Sequence, residues 1–162
     1  MDAVEQLLRL IDQAYDKKSW HGTNLRGSIR GLSAAEAAWR PAPNRHNIWE
    51  IVVHAAYWKY AVTRRFSEAP RGSFPLKGSN WFKRPEGSRA VESGWRADVA
   101  LLESTHRALR REVARLAPLD VGKTPRRSKV SNLDLLAGIA AHDLYHAGQI
   151  QLLKRLRDPV GV

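Results

Sequence analysis

Apolar residues recur every three or four positions along four long stretches of the chain, which is the spacing of one face of an α-helix. This pattern predicts helices over about residues 3–17, 47–66, 92–116 and 131–157. The third stretch is the most regular, and its seam repeats as in a heptad: Trp95, Val99, Leu102, His106, Leu109, Val113 and Leu116. No stretch shows a convincing strand pattern, so the predicted fold class is all-α.

Capping and turn residues predict how these helices are connected. Ser33 and Glu36 form a capping box, which predicts a short helix between the first two long ones, and Pro41 limits its length. Asn47 is placed to cap the second long helix. Residues 68–91 carry three prolines and are predicted to form an irregular loop. The expected architecture is therefore a four-helix bundle with one long crossover, which joins the second and third long helices. The whole of residues 1–162 is expected to form a single domain.

The composition narrows the classes of function. The chain has no cysteine, which excludes disulfides, thiolate zinc sites and cysteine nucleophiles. No apolar run is long enough to span a membrane, and the amphipathic start contains acids, unlike a signal peptide. A cytoplasmic protein without a membrane partner is therefore expected.

The net charge of +11 suggests a nucleic acid or another anionic partner. The arginines are spread along the chain, however, and the densest run, Lys123 to Lys129, falls in a predicted loop. Arg45, Lys59, Arg64 and Arg65 flank the second long helix, and most of them are expected to face solvent. Because no nucleic-acid motif accompanies the charge, a solvated basic surface is the favoured interpretation, and the charge only mildly favours an anionic substrate.

The fourth helix carries two histidines on its apolar face. The predicted inward stripe is Leu135, Ile139, His142, His146, Ile150 and Leu153. His142 and His146 are one turn apart, with a rise of roughly 6 Å, so both rings can hold one metal ion. His54, on the inward face of the second long helix, is the best candidate for a third ligand. The alternative is that these are hydrogen-bonded core histidines, and the spacing alone leaves both interpretations open.

Further polar residues near these histidines have two interpretations each. Asp143 replaces the glutamate of the HExxH zinc motif. It is expected to be a surface acid, or else to orient a ligand ring or act as a short-armed base. Glu50 is interpreted as a cap partner, His106 as a core histidine and Gln149 as the source of an interhelical hydrogen bond. The alternative for each of these four residues is a contact with a metal-binding histidine, without binding the metal itself.

Two histidines and two aromatic residues lie outside the long helices. His46 precedes the capping Asn47 and is expected to be exposed, whereas His21 could approach the end of the bundle. Trp81 and Phe82 fall in the predicted loop, where they are expected to fold back onto the core or to line a pocket.

Three stretches of the chain, in this order, resemble the DinB/YfiT-like family of metal-dependent enzymes: "SWHGTNLRGSIRGLSAAEAAWRPAPNRHNIWEIVVHAAYWK", "LLESTHRALRREVARL" and "AAHDLYHAGQIQLLKRL". The resemblance implies a four-helix bundle of the DinB type. It implies a divalent metal, usually zinc or nickel, held by His54, His142 and His146. It also implies a homodimer, and either hydrolysis or transfer of a low-molecular-weight thiol on an unknown small substrate.

Three imidazole ligands leave at least one coordination position open, which is the pattern of a catalytic metal. A water there would become a hydroxide nucleophile, and a thiol would become a thiolate. No catalytic base can be identified. The alternative is a non-catalytic metal-binding stress-response or interaction protein, which would have no pocket beside the metal; a nucleic-acid binder is the least favoured class.

Overall fold

The structure, a computed structural model, describes residues 1–66, 72, 74–126 and 128–158, except for the side chain of Phe66. These residues contain helices and no strand, which confirms the all-α class. The six α-helices are α1 (Ala3–Tyr15), α2 (Leu25–Ser28), α3 (Ala34–Ala38), α4 (Ile48–Phe66), α5 (Glu92–Val113) and α6 (Asn132–Arg157). Within this part of the chain, no helix combines the length and apolarity needed to cross a bilayer.

The helix ends follow from local capping. Ser33 and Glu36 form the predicted capping box of α3, and the Oδ1 atom of Asn47 accepts a hydrogen bond from the backbone N–H of Glu50 at 2.9 Å. Ser131 caps α6 by accepting from the backbone N–H of Asp134. The single-turn helix α2 was not predicted, because it is held by a local contact of Asn24 and has no apolar period of its own.

The long helices position the histidines on adjoining surfaces. Helix α4, which carries His54, packs against both α5 and α6, and α6 carries His142 and His146. Helix α1 packs mainly on α6, while α2 covers α6 and α3 covers α4. Ile51, Ala55 and Ala56 around His54 are buried, as are Ala140 and Ala147 near the α6 pair. The small alanines let the two helices approach closely enough for their histidine rings to meet.

Two charged residues are buried where α4 meets α6. Asp143 was expected to be a surface acid, and Lys59 is one of four cations of which most were expected to face solvent, but both side chains are buried. Lys59 Nζ donates to Asp143 Oδ2 across the α4–α6 contact. The expectation for Asp143 was wrong, and Lys59 is an exception among the four cations, because the two opposite charges pair and so can both leave water. Periodicity does not reveal such a pairing between distant positions.

The connection between α4 and α5 folds back onto the core. Phe74 and Phe82 are buried, and Trp81 is half-buried against the α4 surface, so the expectation that loop aromatics fold back is confirmed. Within this predicted loop, residues 68–71 and 73 lie outside the described residues. Arg127 of the basic run at 123–129 lies outside them as well.

Candidate metal centre

The three histidines predicted to share a metal meet between α4 and α6. His54 Nε2 and His146 Nε2 each lie 3.1 Å from His142 Nε2. One ligand atom from each ring lies within 4.8 Å of the other two. His54 and His146 are buried and His142 is half-buried. We call these residues the histidine trio; the structure brings them together, and they could hold a metal ion.

Hydrogen bonds to oxygen fix two of the three rings. His54 Nδ1 donates to the backbone carbonyl of Asn80 at 2.9 Å, and His146 Nδ1 donates to Gln149 Oε1 at 2.7 Å. A proton on Nδ1 leaves Nε2 of the same neutral ring as a bare lone pair. The bond of Gln149 lies within α6 and is not the interhelical bond that was expected, because residues three apart share a helix face.

Burial keeps the trio neutral. It lowers the pKa of His142 to about 3 and that of His146 to about 4, and it lowers the pKa of His54 below its ordinary value. The other histidines and Lys59 lower the pKa of His142 further. Near pH 7 the rings therefore offer lone pairs and not positive charges, as metal ligation requires.

The spacing of the three Nε2 atoms suits a divalent ion. A neutral His142 can place a hydrogen on Nε2 for only one of its two neighbours, so two lone pairs face each other in the second 3.1 Å contact. An ion bound at roughly 2.0–2.1 Å by tetrahedral ligands separates its nitrogens by about 3.3 Å, close to the observed distances. The donor set and its geometry thus fit a divalent metal.

An aromatic stack covers His54 on the side of the loop. The Trp81 ring lies 3.8 Å from the His54 ring on one face and 3.6 Å from the His46 ring on the other, measured between centroids. His46 Nδ1 in turn lies 3.0 Å from Glu50 Oε2. His46 is about half-exposed, as expected, but its place in this stack was not predicted. The stack fixes the plane of the His54 ring and shields it from water.

Asn80 is the second residue of the site that sequence reasoning missed. Its backbone accepts from His54, and its Oδ1 accepts from Trp58 Nε1 at 2.9 Å. Asn80 has a φ of 64°, in the left-handed region that asparagine tolerates better than most residues. The only signal in the sequence is the turn-forming "GSN" before Trp81, which predicts a turn but not its contact with a histidine 26 positions earlier.

A cavity of about 490 Å³ lies beside the trio, with His142 in its wall. Most of the wall is apolar, and Arg65 and Lys129 supply positive charge at its edge. The other lining residues come from α4, α6 and the segment before α6: Trp58, Val62, Ser128, Val130, Asp134, Leu135, Gly138 and Ile139. A pocket of this size accepts a small organic molecule next to the histidine rings.

The remaining candidate residues do not join the trio. Glu50 pairs with Arg40 and His46 and reaches His54 only through the aromatic stack. Asp143 pairs with Lys59 across the α4–α6 contact and makes no hydrogen bond to a trio ring. His106 is buried and stacks on Tyr15 with 3.7 Å between ring centroids, which matches a core histidine. His21 is exposed, and its ring contacts Ser19 Oγ.

Comparison with known proteins gives one match. The family model described as the DinB superfamily matches residues 19–150, a span that contains all three histidines of the trio. No curated protein and no solved structure matches significantly.

Proposed function

Because the chain belongs to the DinB superfamily, we propose that it is a metal-dependent enzyme whose divalent ion is held by His54, His142 and His146. The observation that carries this proposal is the convergence of three neutral imidazoles, two with their outer nitrogens already bonded to oxygen. Zinc or nickel is the preferred ion because the resemblance to the DinB/YfiT-like family implies it; imidazole nitrogen suits both, although it suits copper and iron as well. The proposed overall arrangement is a four-helix bundle of α1, α4, α5 and α6, with the connection between α4 and α5 as its crossover.

The cavity beside His142 favours catalysis over passive metal binding. A protein that only stored or sensed a metal would need no space for a second molecule next to the ligands. Here the space is bounded by Trp58, Leu135 and Ile139, which would exclude water from one side of a bound substrate. The substrate is accordingly a small, largely apolar molecule. Arg65 and Lys129 would attract a negative charge on it, because they outnumber Asp134, the one carboxylate among the described residues of the cavity wall.

Thiol transfer is the reaction that the surroundings favour. Among the described residues, no carboxylate is hydrogen-bonded to a trio ring, and the nearest in sequence, Asp143, is engaged by Lys59. A divalent ion bound by the trio would act as a Lewis acid and ease the loss of a proton from a thiol or a water molecule. Neither nucleophile would then need a separate base, so what favours the thiolate is the largely apolar cavity wall, which suits an apolar electrophile. Hydrolysis remains the second candidate, because the open cavity also admits water.

A homodimer is part of this proposal. One face of α6 is exposed and carries large apolar side chains: Tyr145 is 64% exposed, Leu152 56% and Leu156 54%. Ala141 and Gly148 lie on the same face. Such a surface is typical of a protein contact, and a second copy would cover it. Sedimentation of the wild type and of Leu152→Lys tests this, with a monomeric wild type as the contradicting result.

The catalytic proposal is tested by loading the protein with zinc or nickel and supplying monochlorobimane with cysteine, glutathione or coenzyme A. We expect metal-dependent formation of the thioether with at least one thiol, and its loss in His54→Ala. A parallel assay with nitrophenyl esters detects hydrolysis. If neither reaction depends on both metal and His54 across a broad set of thiols and esters, the enzymatic proposal is wrong.

A further inference from the structure

A second cavity, of about 770 Å³, lies on the far side of the aromatic stack from the histidine trio. The segment before α4 provides one wall, through Arg40, Arg45 and His46, and the connection before α5 provides the other. His46 belongs to both the wall and the stack, so Trp81 separates this cavity from His54. Nothing in the proposed reaction uses this space.

The charges that line this second cavity are unbalanced. Five cations line it, Arg40, Arg45, Lys83, Arg84 and Arg89, against two carboxylates, Glu50 and Glu86. Arg40 bonds to both carboxylates and so holds them together at one side. Arg84 is neutralised by Asp98, which is not among the lining residues.

Three cations remain after these pairings. Arg45, Lys83 and Arg89 are exposed, and within the described part of the chain no carboxylate lies within 4.0 Å of their charged groups. Arg40 carries one positive charge and so neutralises only one of the two carboxylates that it binds. One of the three remaining cations offsets the other carboxylate, which leaves an excess of about two positive charges in the cavity. Like charges lining one concave surface raise the potential inside it and attract an oppositely charged ligand.

We propose that this cavity binds a small organic molecule through a dianionic group, either a phosphate monoester or a pair of carboxylates. The volume exceeds what an inorganic ion fills and lies in the range of small-molecule sites. The forked guanidinium groups of Arg45 and Arg89 and the ammonium group of Lys83 supply the donors that such oxygens accept. Arg40 acts differently: it fixes Glu50, and through Glu50 the His46 ring at the cavity wall.

The test is calorimetric titration of the full chain with phenyl phosphate, succinate and the monoanion benzoate. We expect one dianion per chain to bind, with benzoate weaker by about tenfold or more, because each opposite charge in a shared site adds attraction. Whichever dianion binds more tightly identifies the head group as a phosphate or a dicarboxylate. No binding of either dianion, or equal binding of benzoate, would overturn the proposal.

Two variants locate the site. Lys83→Gln/Arg89→Gln removes two charges from the cavity, whereas Arg96→Gln/Arg111→Gln removes two exposed charges from α5. We expect the first to weaken dianion binding by about tenfold and the second by less than about twofold. If both double variants weakened dianion binding equally, the effect would come from the net charge of the protein and not from this cavity, which would contradict the proposal.

A third variant, His142→Ala, separates this site from the metal centre. Dianion binding should be unchanged in it, even if the proposed metal chemistry fails. Loss of binding in His142→Ala would assign the dianion to the metal and overturn the second site.

Discussion

Helices α4 and α6 build two buried polar clusters from neighbouring residues, and the two clusters combine their polar groups in different ways. The first is the histidine trio. The second, which we call the ion-pair cluster, contains Lys59 and Asp143 with Tyr15 and His106 packed beside them. His142 and Asp143 are adjacent in the chain, yet one belongs to each cluster, because successive residues on a helix point about 100° apart.

The difference lies in what each cluster lacks. In the ion-pair cluster opposite charges meet, so each charge offsets part of the desolvation of the other, although burial still raises the pKa of Asp143 above its ordinary value. In the trio three like acceptors meet, and no hydrogen-bond arrangement of neutral rings satisfies them all. Burial lowers the pKa of His106 to about 3, much as it does for His142, but no second imidazole shares its lone pair. A lowered histidine pKa therefore marks burial in both clusters, and only the convergence of nitrogens points to a metal.

Breaking the ion-pair cluster should produce the largest effect on folding. Lys59→Met leaves the Asp143 carboxylate buried without its partner, and we expect a loss of about 3–5 kcal/mol in the free energy of unfolding. The double variant Lys59→Met/Asp143→Leu should recover most of that loss, since both charges are gone. Urea unfolding followed by circular dichroism measures both. A single variant within about 1 kcal/mol of the wild type would mean that the pair is not buried as described.

Removing the hydrogen bond behind one trio ring should weaken metal binding without unfolding the protein. Gln149→Leu removes the hydrogen-bond acceptor of His146 Nδ1. Loss of the hydrogen-bond partner of a metal-binding histidine typically lowers metal affinity by about 10–100-fold. Gln151→Leu, on the same helix, is the matched control and should change affinity by less than about twofold. Competition with a chromogenic zinc chelator measures the two affinities; equal values would remove Gln149 from the site.

The pH dependence of stability should distinguish His106 from an exposed histidine. Its ring titrates near 6.5 when unfolded and at about 3 when folded, so the unfolded chain takes up the proton first as the pH falls. This one group therefore lowers stability by about 1.4 kcal/mol per pH unit below 6.5. His106→Phe keeps the stack on Tyr15 and should lower the slope between pH 6.5 and 5 by about that amount, because the slope that remains comes from the buried trio. The exposed His21→Phe should leave the slope unchanged. Identical slopes for the wild type and His106→Phe would contradict the assignment.

The sequence predicts those parts of the fold and site that depend on periodicity and capping. The long helices, the α3 capping box and the inward positions of His54, His142 and His146 all follow from spacing along one helix at a time. Gln149 was found as a candidate for the same reason, although its partner was not.

What could not be predicted depends on contacts between distant segments. Lys59 and Asp143 are 84 positions apart, and each alone has the composition of a surface residue. His46, Asn80 and Trp81 reach His54 through a connection with no regular period, so only the folded chain reveals the stack. The second cavity has the same origin, because its two walls come from separate connections.

The most direct test of the central claim is the metal content of the purified protein after incubation with zinc or nickel and removal of excess ion. It is measured by elemental analysis beside the triple variant His54→Ala/His142→Ala/His146→Ala and the single variant His106→Ala. We expect about one ion per chain in the wild type and in His106→Ala, and none in the triple variant. No ion in the wild type, or the same content in the triple variant, would contradict the central claim.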